Sequence, residues 1–188
     1  ICTRSGKHTY NLSLIGSMVA EHGEADTQQW LKGLKENLAR RPQGNDRAQV
    51  KAVKEGVCDL ALGNSYYFGK MITNKKKPEQ IEWAQSVNLI FPNQDDRGAH
   101  MNISGAGVTK YAPHKDAAVK LIEFLSSDKA QKLYAEVNFE FPVRNGTQRS
   151  ELITKYMGEF KEDGVSLQKI AELRSTAAKM VDKVGFDN

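Results

Sequence analysis

Short apolar runs and longer stretches of helical periodicity alternate along this chain, the patterning of an α/β fold. Residues 1–4 and 57–62 are apolar and bounded by turn-forming residues, so they predict strands; 87–91, stopped by Pro92, predicts another. Three helical patterns separate the first two. One begins near Tyr10, with Leu12, Ile15, Met18 and Val19 on its buried face, and Gly23 stops it. The next covers about 26–40, with Trp30, Leu31, Leu34 and Leu38 on one side. The third is capped by Asn45 or Asp46, carries Val50 and Val53, and ends at Gly56. After the second strand, Gly63-Asn64-Ser65 turns the chain into a helix that starts at Tyr66. Further on, 102–108 is an extended, glycine-bearing segment, and helices are expected at 115–126 and 128–137 with Val119, Leu121, Ile122, Leu125 and Leu133 as core positions. Residues 139–143 read as a short extended connector. Ser166 caps one long amphipathic helix through Val184, with Leu167, Ile170, Leu173, Ala177, Met180 and Val184 at helical spacing.

Composition narrows this picture only a little. At 188 residues and 39% hydrophobic, the chain can bury a real core. Its net charge of +4 is spread along helices beside Glu and Asp, with no aromatic-basic stripe, so no nucleic-acid partner is expected. The densest basic run, Lys75-Lys76-Lys77, ends at Pro78 and reads as a solvated loop. No apolar run approaches the roughly 20 residues needed to span a membrane. The first residue is Ile1 and the sequence shows no signal-peptide pattern, so a processed product or an expressed piece is expected. Cys2 and Cys58, the two cysteines, each lie in an apolar strand. If those strands are neighbours a disulfide is geometrically possible, and a pair of buried free thiols is equally consistent with the pattern.

Most motifs that announce a reaction are missing. There is no phosphate-binding P-loop, no H-E-x-x-H, no pair of C-x-x-C motifs and no G-x-S-x-G, and none of His8, His22, His100 and His114 pairs with another at ligand spacing. What stands out is Asn64-Ser65-Tyr66-Tyr67. Adjacent tyrosines at a strand-to-helix corner lie where open α/β sheets bind ligands, and Tyr10 occupies the equivalent corner after the first strand. A phenol with a pKa near 10 is a poor ligand for most divalent metals at neutral pH. A hard trivalent cation can displace its proton, because phenolate oxygen is a hard anionic donor. Three phenolates could thus converge on one cation. The plainer reading makes Tyr66 and Tyr67 helix-start aromatics that pack and donate hydrogen bonds. An enzyme using a tyrosine as general acid would need a companion base, and no carboxylate or histidine adjoins the pair.

The stretch from Asn45 to Tyr67, including Gly56-Val57-Cys58-Asp59-Leu60-Ala61-Leu62-Gly63-Asn64-Ser65-Tyr66-Tyr67, closely resembles the periplasmic ferric-ion-binding proteins of bacterial iron ABC importers. Phe91-Pro92-Asn93-Gln94 and Asn102-Ile103-Ser104-Gly105-Ala106-Gly107-Val108 resemble them too, and the likeness covers essentially the whole chain. The resemblance implies a two-lobed, hinged, type II periplasmic-binding-protein-like fold, N-terminally incomplete here. It implies that Tyr66 and Tyr67 are iron ligands and that Tyr10, as in one branch of the family, is a third. Ser5, Asn45 and Asn64, at helix starts, become candidates to bind an anion or to support the ligands, with capping as the commoner role. His8 lies in the wrong part of the pattern to replace a first-lobe ligand and reads as an exposed loop histidine. The implied cargo is Fe3+, with a carbonate-like synergistic anion. The implied partners are an inner-membrane ABC permease and a first lobe that supplies the remaining ligands. The implied setting is the periplasm, where Cys2 and Cys58 would be bridged, and the implied state is a monomer with no catalytic activity. Residues 1–96 are then expected to form most of the C-terminal lobe, 97–147 a hinge strand and a segment of the N-terminal lobe, and 148–188 helices returning to the C-terminal lobe. The alternative is a binding protein of the same fold for an anion or small organic solute.

Overall fold

The structure is a computed structural model that describes all 188 residues. Nine helices make up its regular structure: α1 (Thr9–Glu36), α2 (Asp46–Lys54), α3 (Tyr66–Ile72), α4 (Glu79–Gln85), α5 (Lys115–Leu125), α6 (Asp128–Val137), α7 (Glu151–Met157), α8 (Leu167–Glu172) and α9 (Arg174–Val184). The chain divides into two compact units, residues 1–102 with 160–188, and residues 103–159. Ala99 exchanges backbone hydrogen bonds with Lys161 and Asp163, at 2.8 Å each, and α7 packs on α6.

The first unit is built on α1 and α9. Leu12, Ile15, Val19 and Leu31 of α1 are buried with Ala177, Met180, Val181 and Phe186, and Trp30, Leu34 and Leu38 pack around them. Apart from Val181 and Phe186, these are the positions that helical spacing selects. Gly23, at φ 78°, breaks α1 into two segments, as only a residue without a Cβ enters that region freely. The expected single helix after Ser166 is two, because Leu173 ends α8 and begins α9. Ser166 does cap α8, its hydroxyl accepting from the Lys169 amide.

The expected strands do not form ladders. Residues 1–4 and 57–62 meet in one parallel bridge between Cys2 and Ala61. The Cys2 amide donates to Leu60 O (2.8 Å), and the Leu62 amide donates to Cys2 O (3.0 Å). Segments 87–91 and 102–108 carry no regular structure. Apolar patterning marks a segment suited to a sheet, but a strand exists only through a paired neighbour. Cys2 and Cys58 are joined in a disulfide with Cα atoms 5.9 Å apart, buried against Ala52 and Val53. Of the two possibilities the sequence left open, the bridge is the one found.

In the second unit, α5 packs on α6 and α6 on α7. Ala130, Ala135, Phe139, Ile153 and Met157 are its buried apolar residues. Val119, Leu121 and Leu133, expected in the core, are exposed, with Leu121 at 57%. The periodicity of α5 and α6 defines an apolar face correctly, but three short helices bury only the part that faces a neighbour. Helices α4 and α7 have no counterpart among the expected elements. Each is only seven residues long, too short for periodicity to declare itself.

One polar cluster fastens α1 to the returning segment. Arg97 pairs with buried Asp163 at 3.2 Å, and Ser13 Oγ lies 3.1 Å from His100 Nε2. His100 Nδ1 is 3.7 Å from Asp163 Oδ2, too far for a hydrogen bond, and is itself buried. Burial lowers the His100 pKa below its ordinary 6.5, and Arg97 pushes the same way while Asp163 opposes. With the folded pKa depressed, the unfolded chain takes up the proton first. Stability is therefore complete above about pH 6.5 and is lost as pH falls below it. Thermal midpoints measured from pH 7.5 down to 5.5 are expected to fall, and His100→Gln should flatten that slope.

Candidate metal centre

Two corners of the first unit carry the three tyrosines. At the first, the chain leaves the 1–4 segment, passes Ser5-Gly6-Lys7 and enters α1. His8 caps that helix, its Nδ1 accepting from the Tyr10 amide at 3.2 Å, while its ring packs edge-on against Tyr10. It is thus half-buried rather than an exposed loop residue, because capping fixes it against the helix start. Burial, and then Arg4, lower its pKa. At the second corner, 57–62 leads through Gly63-Asn64-Ser65 into α3, whose first two residues are Tyr66 and Tyr67.

The corners bring the phenols together. Tyr10 Oη and Tyr66 Oη are 3.2 Å apart, although 56 positions separate them in sequence. The Tyr67 ring lies beside that of Tyr66, with centroids 4.2 Å apart and planes 30° apart. Burial, followed by hydrogen bonding to Tyr10 and Tyr67, drives the Tyr66 pKa far above the usual 10. In the metal-free state the Tyr66 phenol is protonated at neutral pH, so any cation bound there must displace that proton. No group of three or more His, Cys, Asp or Glu side chains gathers elsewhere in a metal-binding arrangement. The oxygens brought together at these two corners are phenolic.

Each ring also carries a cation on its face: Arg4 over Tyr10 at 5.0 Å, Arg47 over Tyr67 at 4.8 Å and Lys70 over Tyr66 at 5.1 Å. Such contacts hold the rings in place by attraction to the π face. Of the three residues expected to bind an anion or support the ligands, Asn64 lies at the second corner, its backbone amide donating to Asp46 Oδ1 at 2.8 Å. Asn45 is exposed and caps α2, accepting from the Ala48 amide at 3.2 Å. The Ser5 hydroxyl donates to Asp187 at 2.7 Å, and the Gly6 amide donates to the other oxygen of the same carboxylate at 2.8 Å. The anion that meets this corner is therefore a side chain from the end of the chain. Arg4, Asp46, Arg47, Lys70 and Asp187 escape sequence reading, since each looks like a solvated helix or loop charge. Only the position of Arg4 beside a predicted corner hints otherwise, and Asp46 is offered only as an alternative cap of α2.

The family profile of the bacterial extracellular solute-binding proteins matches residues 1–158. Iron uptake protein A1 of Synechocystis is 43% identical over 99% of this chain and 51% of its own length. The major ferric iron-binding protein of Neisseria meningitidis is 30% identical over 93% of this chain and 50% of its own. Among solved structures, the open form of Mannheimia haemolytica ferric iron-binding protein A superposes with a TM-score of 0.92, at 49% identity. It is covered to 58% by the whole of this chain. A Trichodesmium protein solved with iron and citrate ligands gives a TM-score of 0.91 at 43% identity, over 98% of this chain and 58% of its own. The chain thus spans about half the length of the curated relatives it matches.

Proposed function

The chain belongs to the family of bacterial extracellular solute-binding proteins and has the type II periplasmic-binding-protein fold, and from that premise we propose that it binds ferric iron through the phenolates of Tyr10, Tyr66 and Tyr67. The observation that carries this reading is the 3.2 Å approach of the Tyr10 and Tyr66 phenol oxygens with Tyr67 alongside. Relatives named for iron uptake, at 43% identity, and for ferric iron binding, at 30%, support it. Phenols packed this closely are costly to ionise together, and a trivalent cation between them removes that cost.

Charge also favours an accompanying anion. Three phenolates cancel the charge of Fe3+, and Asp46 cancels Arg4. Arg47 and Lys70 remain over the rings. That positive surplus suits a carbonate-like or carboxylate anion completing the coordination shell, with Asn64 beside it. The protein acts in the periplasm as a monomer, catalyses no reaction and hands its iron to an ABC-type permease. The portion of the relatives that lies outside this chain, the first lobe, contributes the remaining ligands.

Titration of the iron-free protein with ferric citrate, beside phosphate and sulfate, tests this. Saturation by iron at one equivalent is expected, with neither anion binding appreciably alone. Binding of phosphate or sulfate without iron would favour an anion-binding protein of the same fold.

A further inference from the structure

An acidic residue in the first turn of a helix ordinarily needs no explanation beyond the helix dipole. Asp46 is different. The cap of α2 is supplied by Asn45, which leaves the Asp46 carboxylate to turn away from its own helix. It is 2% exposed, and both oxygens are engaged elsewhere. Oδ2 receives Arg4 Nη1 at 2.5 Å, and Oδ1 receives the Asn64 amide at 2.8 Å. Arg4 covers the Tyr10 ring, and Asn64 stands two residues before Tyr66. One buried carboxylate therefore grips both tyrosine corners at once. Gly63 permits the approach, since a Cβ there would stand 3.1 Å from Asp46 Oδ1. A buried charge bonded on both oxygens resists displacement, because either broken contact leaves it unsatisfied.

We infer that Asp46 is a positioning residue that sets the spacing of Tyr10 and Tyr66, and with it the geometry of the cation site. The inference rests on the reading of these tyrosines as ferric ligands. Asp46 acts through Arg4 on one corner and through the Asn64 backbone on the other.

A double-mutant cycle between Asp46→Ala and Tyr10→Phe in the intact protein tests it. The readouts are ferric affinity in competition with citrate and the position of the phenolate-to-iron band. Asp46→Ala is expected to weaken binding about tenfold and to shift the band. Once Tyr10 is Phe, the spacing that Asp46 sets no longer joins two phenolate ligands, and the same change should cost no more than about twofold. Asp46→Asn keeps an acceptor for the Asn64 amide but loses the ion pair, so it serves if the alanine variant does not fold. Its cost must also vanish in the Tyr10→Phe background. An equal cost in both backgrounds overturns the inference, as does a lowered thermal midpoint with affinity and band unchanged in the folded protein. A wild-type protein without ferric affinity overturns the ferric reading and this inference with it. Ferric affinity without the coupling overturns this inference alone.

Discussion

Converting Tyr66 and Tyr67 together to phenylalanine is expected to remove ferric binding and the visible colour proposed to accompany it, while the protein stays folded. The substitution deletes two oxygens and little else. Both rings are half-buried at the start of α3, and phenylalanine keeps their stacking and their cation contacts. What is lost is the pair of anionic donors that the proposed ferric site requires. The expected loss exceeds the roughly 10–100-fold that outer-shell changes cost at metal sites, because ligands themselves are removed. Competition titration against citrate measures it, and the thermal midpoint checks the fold. Retained affinity would mean that the tyrosines pack and donate hydrogen bonds without holding iron.

Reduction of the Cys2–Cys58 bridge carries the largest expected effect on stability. The disulfide closes a loop between residues 56 positions apart, which restricts the unfolded chain strongly. Removing such a crosslink costs about 2–4 kcal/mol, or about 4–16 °C in thermal midpoint for a chain of this size. The position of the bridge matters as much as its contribution to stability. It joins the two extended segments just before the tyrosine corners, beside the one backbone bridge between them. Loosening it lets the corners drift, so ferric affinity should fall along with the midpoint. Cys2→Ser with Cys58→Ser, compared by calorimetry and citrate competition with the oxidised protein, measures both. An unchanged midpoint would contradict the structural role assigned to the bridge.

How far the sequence carries is clearest at particular residues. Leu12, Ile15, Leu31, Ala177 and Met180 lie in the core because helical spacing reports a buried face directly. Val119, Leu121 and Leu133 satisfy the same rule yet are exposed, since spacing names a face without naming what covers it. The tyrosine corners were readable because each follows an apolar segment and precedes a helix. The contact between Tyr10 and Tyr66 needed the fold, as nothing local joins residues so far apart. Asp46 shows the limit most sharply. In sequence it is an acidic residue at a helix start, a frequent and innocuous thing, and Asn45 beside it competes for the capping role. Only the burial of its carboxylate between Arg4 and Asn64 separates it from any other helix-start aspartate.

The central claim is that three phenolates from two corners hold one ferric ion, and the visible spectrum of the iron-free protein during addition of ferric citrate addresses it most directly. A phenolate-to-iron charge-transfer band should grow linearly and stop at one equivalent of iron. A protein that takes up no iron, or takes it up with no such band while phosphate or sulfate binds in its place, would contradict the account.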